Sequence, residues 1–335
     1  MSDFQAEKNL VREHYEALAR ATPANVDAIL AERTSPDWQW RGMHPFHEQH
    51  GPTAVGESFW SPFLEAFNPV QRREDIFFAG LNEIDDFKSV WVVSMGHLMG
   101  LFDRPFLGIR PTGRIAMLRY TEFNRIEAGR IMQTALFCDL PQLMLQAGQY
   151  PFPPQTGAHL VQPGPRTHDG LLHDVQDPGI GTATLGTINQ MLANMDDEEH
   201  DALEVLRRDW HEDMIWWGPV GIGATYTVPR YMEQHSGPFN DALGEGYQYN
   251  GHLCRLAEGR FGGFFGWPNL TLRNAGGYMG MTAGPAHSDM RVVDLYRIQD
   301  GKIAENWIFI DLLNYLQLQG LDVLARLQTV SHVRG

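Results

Sequence analysis

The end of the first half of this chain can be laid over the end of the second. A duplication of that kind restricts the fold to two copies of one supersecondary plan. Arg125-Ile-Glu-Ala-Gly-Arg-Ile131 precedes Phe137-Cys-Asp139-Leu140 and Leu145-Gln-Ala-Gly148, while Arg297-Ile-Gln-Asp-Gly-Lys-Ile303 precedes Phe309-Ile-Asp311-Leu312 and Leu318-Gln-Gly320. Gly129 and Gly301, Asp139 and Asp311, and Gly148 and Gly320 all lie 172 positions apart. Upstream, Asp37-Trp-Gln-Trp-Arg-Gly42 echoes Asp213-Met-Ile-Trp-Trp-Gly218 at a spacing of 176, so the copies differ by about four residues in between.

The repeat divides the chain into a first domain over 1–150, a linker over 151–182 and a second domain over 183–330. Pro151, Pro153, Pro154, Pro163, Pro165 and Pro178 mark the linker, which is long enough to let the domains dock face to face. Each unit reads as helices followed by strands. Leu10, Val11, His14, Tyr15 and Leu18 fall at helical spacing over 4–21, and Leu185, Ile188, Met191 and Leu192 repeat the idea over 184–195. Further helices are expected over 57–67 and 228–243, the second interrupted at Gly237-Pro238. Aromatic and β-branched runs then predict strands over 89–102, 114–126 and 130–139, with counterparts over 260–272, 290–298 and 302–311. Arg-Ile-x-x-Gly-(Arg/Lys)-Ile reads as a hairpin. The expected class is α+β, with a meandering antiparallel sheet wrapped on its helices.

Charge removes several function classes. Lys and Arg total 26 against 41 Asp and Glu, a net charge of −15, and lysine occurs only as Lys8, Lys88 and Lys302. Nucleic acid and anionic membrane are therefore poor partners. The two cysteines, Cys138 and Cys254, form no Cys-x-x-Cys and cannot make a disulfide scaffold or a cysteine zinc site. Met1-Ser-Asp-Phe-Gln-Ala-Glu-Lys lacks the basic-then-apolar pattern of an export signal, so a cytoplasmic location is expected.

Both units resemble the SnoaL-like branch of the nuclear transport factor 2-like superfamily. The likeness rests on Gly-(Arg/Lys)-Ile, the aromatic strand, Asp139 or Asp311, and the Leu-rich segment ending in Gln-x-Gly. In the first unit His44-Pro45, Gly56-Glu57, Phe59-Trp60 and Arg119-Tyr-Thr-Glu122-Phe-Asn-Arg125-Ile add to it; the second keeps Gly218-Pro219 and Asp294-Leu-Tyr-Arg297-Ile. The resemblance implies two tandem cone-shaped α+β barrels, each with an apolar pocket at its open end. It also implies relatives that include polyketide cyclases, ketosteroid isomerases and dehydratases working without metal or organic cofactor. Dimerisation through the sheet is implied too, which makes the fusion a pseudo-dimer in one chain that could itself form homo-oligomers.

Asp139 and Asp311 each end an apolar strand on the face of Phe137 or Phe309, where desolvation would raise a carboxyl toward a useful acid or base. The resemblance implies an acid/base aspartate in this strand; the competing reading is a cap on the Leu-rich helix that follows. His97 and Asn269, again 172 apart, place a polar side chain at one apolar strand position, where a ligand or a neighbouring strand must satisfy it. His44, His47 and His50 crowd the first unit only, but Pro45 breaks any helix and no metal-binding spacing is present, so a mouth-lining role is preferred to zinc. Glu122 and Arg119 alternate faces of one strand and read as a structural ion pair or as sheet-surface residues, not as catalytic groups. The glycines of 259–280 read as bulges rather than a phosphate loop, and there is no Gly-x-Ser-x-Gly.

The expected catalytic residues are thus Asp139, His97, His44 and His47. Tyr15, Trp40, Trp60, Phe137, Asn269, Trp307 and Asp311 are the expected substrate-binding set. The expected function is a cofactor-independent lyase, isomerase, dehydratase or cyclase acting on a hydrophobic, aromatic or polyketide-like small molecule; a non-catalytic binder of such molecules is the alternative.

Overall fold

The computed structural model describes residues 3–158, 160–195, 200–244 and 246–329. Each repeat builds its own six-stranded sheet. The first contains β1 (Thr34–Gly42), β2 (His47–His50), β3 (Phe67–Leu81), β4 (Val90–Phe102), β5 (Ile115–Glu127) and β6 (Arg130–Cys138), in the order β2-β1-β6-β5-β4-β3. The second half contains β7 (Trp210–Trp217), β8 (Thr225–Tyr226), β9 (Gln248–Tyr249), β10 (Cys254–Glu258), β11 (Phe261–Phe265), β12 (Leu270–Arg273), β13 (His287–Met290), β14 (Val292–Gln299) and β15 (Lys302–Ile310). Its large sheet runs β10-β11-β14-β15-β7-β8, and β13-β12-β9 form a separate small one.

The repeats fold alike where their motifs match. Ala128-Gly129 and Asp300-Gly301 make the same two-residue turn, with φ of 49° and 71° in the first and 49° and 75° in the second. Two positive φ values in a two-residue hairpin loop match the right-handed twist of the flanking strands, which is why glycine stands second in both. The sheets are not pure meanders: β1 lies parallel to β6 and β7 parallel to β15, because each enters after helices that carry the chain back across the sheet.

In the first unit the helical segment Pro52–Val55 continues through a π-helical turn, Gly56–Trp60, into Ser61–Ala66. Val228–Tyr231, Met232–Ser236 and Gly237–Leu243 repeat that course. In both, a proline follows the widened turn, and widening spares the ladder a donor that proline lacks. Gly237-Pro238 therefore bends the path without ending it. The helix expected from 184 begins at Pro178, where the Asp177 side chain accepts from Gly179 N at 2.8 Å.

The largest departure is the strand expected over 260–272. Its counterpart β4 runs unbroken for 13 residues, whereas the second copy leaves the sheet after Phe265 and resumes as β12 in the small sheet. Pro268 has no N–H for a ladder and Gly266 adds no side chain to pack, so the strand splits there. Asn269 thus lies in the break and not in mid-strand; its Oδ1 accepts from Val292 N at 2.7 Å, closing the gap.

Inner faces of both sheets pack on their own helices, with Val11, Tyr15, Phe59 and Phe63 opposite Leu118 and Tyr120 in the first unit. Outer faces pack on each other: Trp91, Met95, Phe123 and Phe137 meet Phe265, Val293, Trp307 and Phe309 in one buried layer. The connection between units is fastened over both of them. Phe77 N donates to Gly170 O and Leu172 N to Phe77 O, while Trp307 Nε1 donates to Pro163 O. Among the described residues no helix is long and apolar enough to cross a membrane.

Candidate functional site

Strand parity sends Tyr120, Glu122 and Asn124 of β5 to the inner face of the first sheet and Arg119 and Phe123 to the outer one. In register, Ser94 of β4 faces Glu122, and Gly96 stands between Glu74 of β3 and Tyr120 without adding a side chain. Arg72, two residues before Glu74, shares its face. The guanidinium lies 3.7 Å from the ring centroid of Tyr15 and 4.5 Å from that of Tyr120, so two aromatic faces hold it.

Around this sandwich the polar groups form a continuous chain. Arg72 Nη2 donates to Glu122 Oε2 at 3.2 Å, and Asn124 Nδ2 donates to Glu122 Oε1 and to Tyr15 Oη, both at 3.0 Å. Thr134 Oγ1 fixes Asn124 by donating to its Oδ1 at 2.6 Å, and Trp38 Nε1 donates in turn to Thr134 Oγ1. Ser94 Oγ donates to Glu74 Oε1 at 2.9 Å, which leaves the Tyr120 hydroxyl to donate to Ser94 across 2.7 Å. One strong donor remains unused: Arg72 Nη1 is buried with no hydrogen-bond partner, on a side chain only 9% exposed. Such a group normally finds a partner, and the residue that carries it lines a cleft.

That cleft, of about 690 Å³, opens between the first helix and the outer ends of β3 and β4; Tyr15, Arg72, Glu74 and His173 line it together with Val70, Met99 and Ile115. Its electrostatics follow from burial and neighbours. Burial works against the Arg72 charge, but Tyr120, Glu122, Tyr15 and Glu74 outweigh it and the guanidinium stays protonated. Burial raises both phenols, Tyr15 and Tyr120, well above their ordinary value, so they remain proton donors. The adjacent His14, lowered to about 4 chiefly by burial, is neutral at physiological pH. The arrangement lines one apolar-walled space with a fixed cation, Arg72, a neutral phenol, Tyr15, and a carboxylate, Glu74.

The residues anticipated from sequence are distributed differently. Tyr15 lines the cleft, whereas Trp40 and Trp60 pack around Phe59 in the core and do not line it. Asp139 lies at the seam between units instead: Oδ1 accepts from Gln142 N at 3.1 Å, capping the helix Leu140–Gln146, and Oδ2 accepts from Val220 N of the second unit at 2.9 Å. Asp311 mirrors it, capping Leu312–Leu318 through Asn314 N and accepting from His44 N of the first unit at 3.0 Å. His44 and Val220 are themselves 176 apart, so the two clasps are related by the duplication. Burial raises both carboxyls, that of Asp311 to about 6, while Arg119 and Arg291 respectively draw them down.

His97 also faces the seam, with Nδ1 3.4 Å from Asp75 Oδ2. Phe137 and Trp307 belong to the buried inter-unit layer. The rings of His44 and His47 meet edge to face at 5.2 Å, and burial lowers both. Among the described residues no three metal-ligating side chains gather at one point. Arg119 and Glu122 do not pair: Arg119 crosses the seam to donate to Ile308 O and Trp217 O, while Glu122 binds Arg72.

Sequence reasoning passed over Arg72 and Glu74 because Gln71-Arg-Arg-Glu-Asp75 resembles a solvated charge run. Their signal was parity: both share the strand face that continues into the buried Phe77 and Ala79 across the bulge at 74–76. Among the described residues the second unit does not repeat this pair: β9, which pairs with β12 as the start of β3 pairs with β4, places Tyr249 where the first unit has Arg72. There Asp294 takes the place of Glu122, with Asn306 Nδ2 donating to it at 3.0 Å, and burial raises it to about 7 with no cation beside it.

Residues 270–318 match the model of the SnoaL-like polyketide cyclase family, within the strands and capped helix of the second unit. Among solved structures, a candidate SnoaL-like polyketide cyclase from Jannaschia sp. CCS1 is 18% identical over 45% of this chain and 94% of its own, with a TM-score of 0.35. A candidate polyketide cyclase from Xanthomonas campestris pv. campestris is 20% identical over 44% and 99%, with a TM-score of 0.34. An epoxide hydrolase from M. tuberculosis, described as LEH-like, is 13% identical over 45% and 98%, with a TM-score of 0.31. No curated protein matches the sequence. The family match thus falls on the second unit, and the first repeats that unit's sheet order strand for strand.

Proposed function

We propose that the first unit's cleft is the site of a cofactor-independent acid/base enzyme, of lyase, isomerase, dehydratase or cyclase type, acting on a hydrophobic carbonyl compound of aromatic or polyketide-like character. The observation that carries this reading is the unused, buried Nη1 of Arg72, held between two tyrosine rings beside Glu74. A carbonyl oxygen placed on Nη1 would gain a charge-assisted hydrogen bond that strengthens as an enolate forms. Glu74, with Oε1 fixed by Ser94, would take the proton from the neighbouring carbon through its other oxygen. Glu122 serves as the counter-charge that orients Arg72, and the apolar wall of Val70, Met99 and Ile115 suits a ring-bearing substrate.

The test is hydrogen–deuterium exchange into a panel of aromatic ketones and polyketide-like diketones in D2O, followed by proton NMR. Exchange above the buffer rate that falls about 100-fold or more in Glu74→Gln supports the reading. Saturable binding of the panel without any exchange would establish the non-catalytic alternative.

A further inference from the structure

The connection between the two units brings one titratable side chain into this cleft. His173 lies beyond the last strand of the first unit, yet it lines the same space as Arg72 and Glu74. Its position is fixed from both sides. Phe77 N donates to Gly170 O and Leu172 N to Phe77 O, each at 2.8 Å, so the connection runs as a parallel extension along β3. The imidazole packs on Phe77 at 5.4 Å between centroids, and its Nδ1 is buried with no hydrogen-bond partner. The charged groups that face it are Lys8 and Arg12 on the first helix, Glu74 on β3 and Asp174 beside it. Arg72 and Glu16 complete the charged lining of the cleft.

Resting on the acid/base reading above, we infer that His173 is the second proton-transfer group of this cleft. Glu74 removes a proton from a substrate carbon; the C–H electron pair becomes the enolate double bond and the carbonyl π pair moves to oxygen. Glu74 passes that proton to the neutral imidazole. His173 then returns it to the same substrate, at oxygen to give the enol or at another carbon of a conjugated enolate to give the isomer. Both protein groups end as they began, and no other reactant is consumed. A cleft with two proton carriers can move hydrogen between two substrate positions, whereas one carboxylate is confined to the position it reaches. On this account the joining segment completes the chemistry of the first unit as well as tethering the second.

Two measurements on the full chain test the inference. In an NMR titration of the imidazole, burial and the cations Arg12 and Lys8 place the His173 midpoint below the ordinary value, and Glu74→Gln lowers it further by removing a carboxylate that favours the imidazolium. A midpoint indifferent to Glu74→Gln overturns the inference without any substrate being needed. In the ketone-exchange assay, His173→Ala should slow exchange on the order of 100-fold, remove a limb of its pH profile and recover with added imidazole, while the melting temperature stays within a few degrees. Wild-type rate and pH profile in His173→Ala would overturn this inference and leave the Glu74 reading intact; failure of the wild type to exchange any ketone would remove both.

Discussion

Replacing Asp139 by alanine separates a structural clasp from a catalytic acid. Both carboxylate oxygens are engaged, Oδ1 by Gln142 N at 3.1 Å and Oδ2 by Val220 N at 2.9 Å, and the residue is only 3% exposed. Loss of the helix cap costs about 1 kcal/mol. Leaving a second buried N–H unsatisfied at the seam costs about 1–3 kcal/mol more. Relief of the burial that raises its pKa offsets part of this, so Asp139→Ala should destabilise the chain by about 2–3 kcal/mol. Urea denaturation at pH 7, followed by tryptophan fluorescence and far-ultraviolet circular dichroism, reads the change, and Asp139→Asn, which keeps one acceptor, should lose less. Exchange activity of the folded Asp139→Asn protein should stay within a few-fold of wild type. Unchanged stability together with lost turnover would refute the clasp and return catalysis to the seam.

Asp294 makes the second unit sensitive to pH. Its carboxyl is raised to about 7 in the folded chain, so between about pH 4 and 7 the folded state holds a proton that the unfolded state has released. Its contribution is therefore full below about pH 4 and declines by up to about 4 kcal/mol as pH rises through 7, a slope that Asp294→Asn should flatten in urea titrations; identical slopes would contradict the assignment. Arg119→Met removes the donor that reaches Ile308 O and Trp217 O across the seam, and about 2–3 kcal/mol should be lost despite relief of a buried charge. A change below about 0.5 kcal/mol would show that the guanidinium does not hold the units together.

The sequence made the duplicated hairpins and the capped helices legible because both depend on local chemistry. Gly129 and Gly301 supply the turn, and Asp139 and Asp311 stand one residue before a Leu-rich run. The choice between acid and cap was not legible, because Val220 and His44, which supply the second backbone contact of each clasp, are more than 75 residues away and come from the other unit. Trp267-Pro268 held a readable warning of the split strand, since proline in a strand interior argues against pairing. Arg72 and Glu74 were hidden by composition. Charged residues in succession suggest solvent, and the side-chain contacts of Glu74 with Ser94 and of Arg72 with Tyr120 show that alternate members of the run turn inward. His173 was beyond reach altogether, because what brings it to the cleft is the docking of a proline-rich connection along β3.

Chemistry at the inner face of the first sheet and structure at the seam are both tested by one comparison within a single assay. Initial rates of deuterium incorporation into an exchangeable aromatic ketone, measured by NMR at pH 7 for wild type, Glu74→Gln and Asp139→Asn at matched folded concentration, should fall about 100-fold or more for Glu74→Gln and stay within a few-fold for Asp139→Asn. A wild-type rate in Glu74→Gln with exchange abolished in Asp139→Asn would contradict both placements.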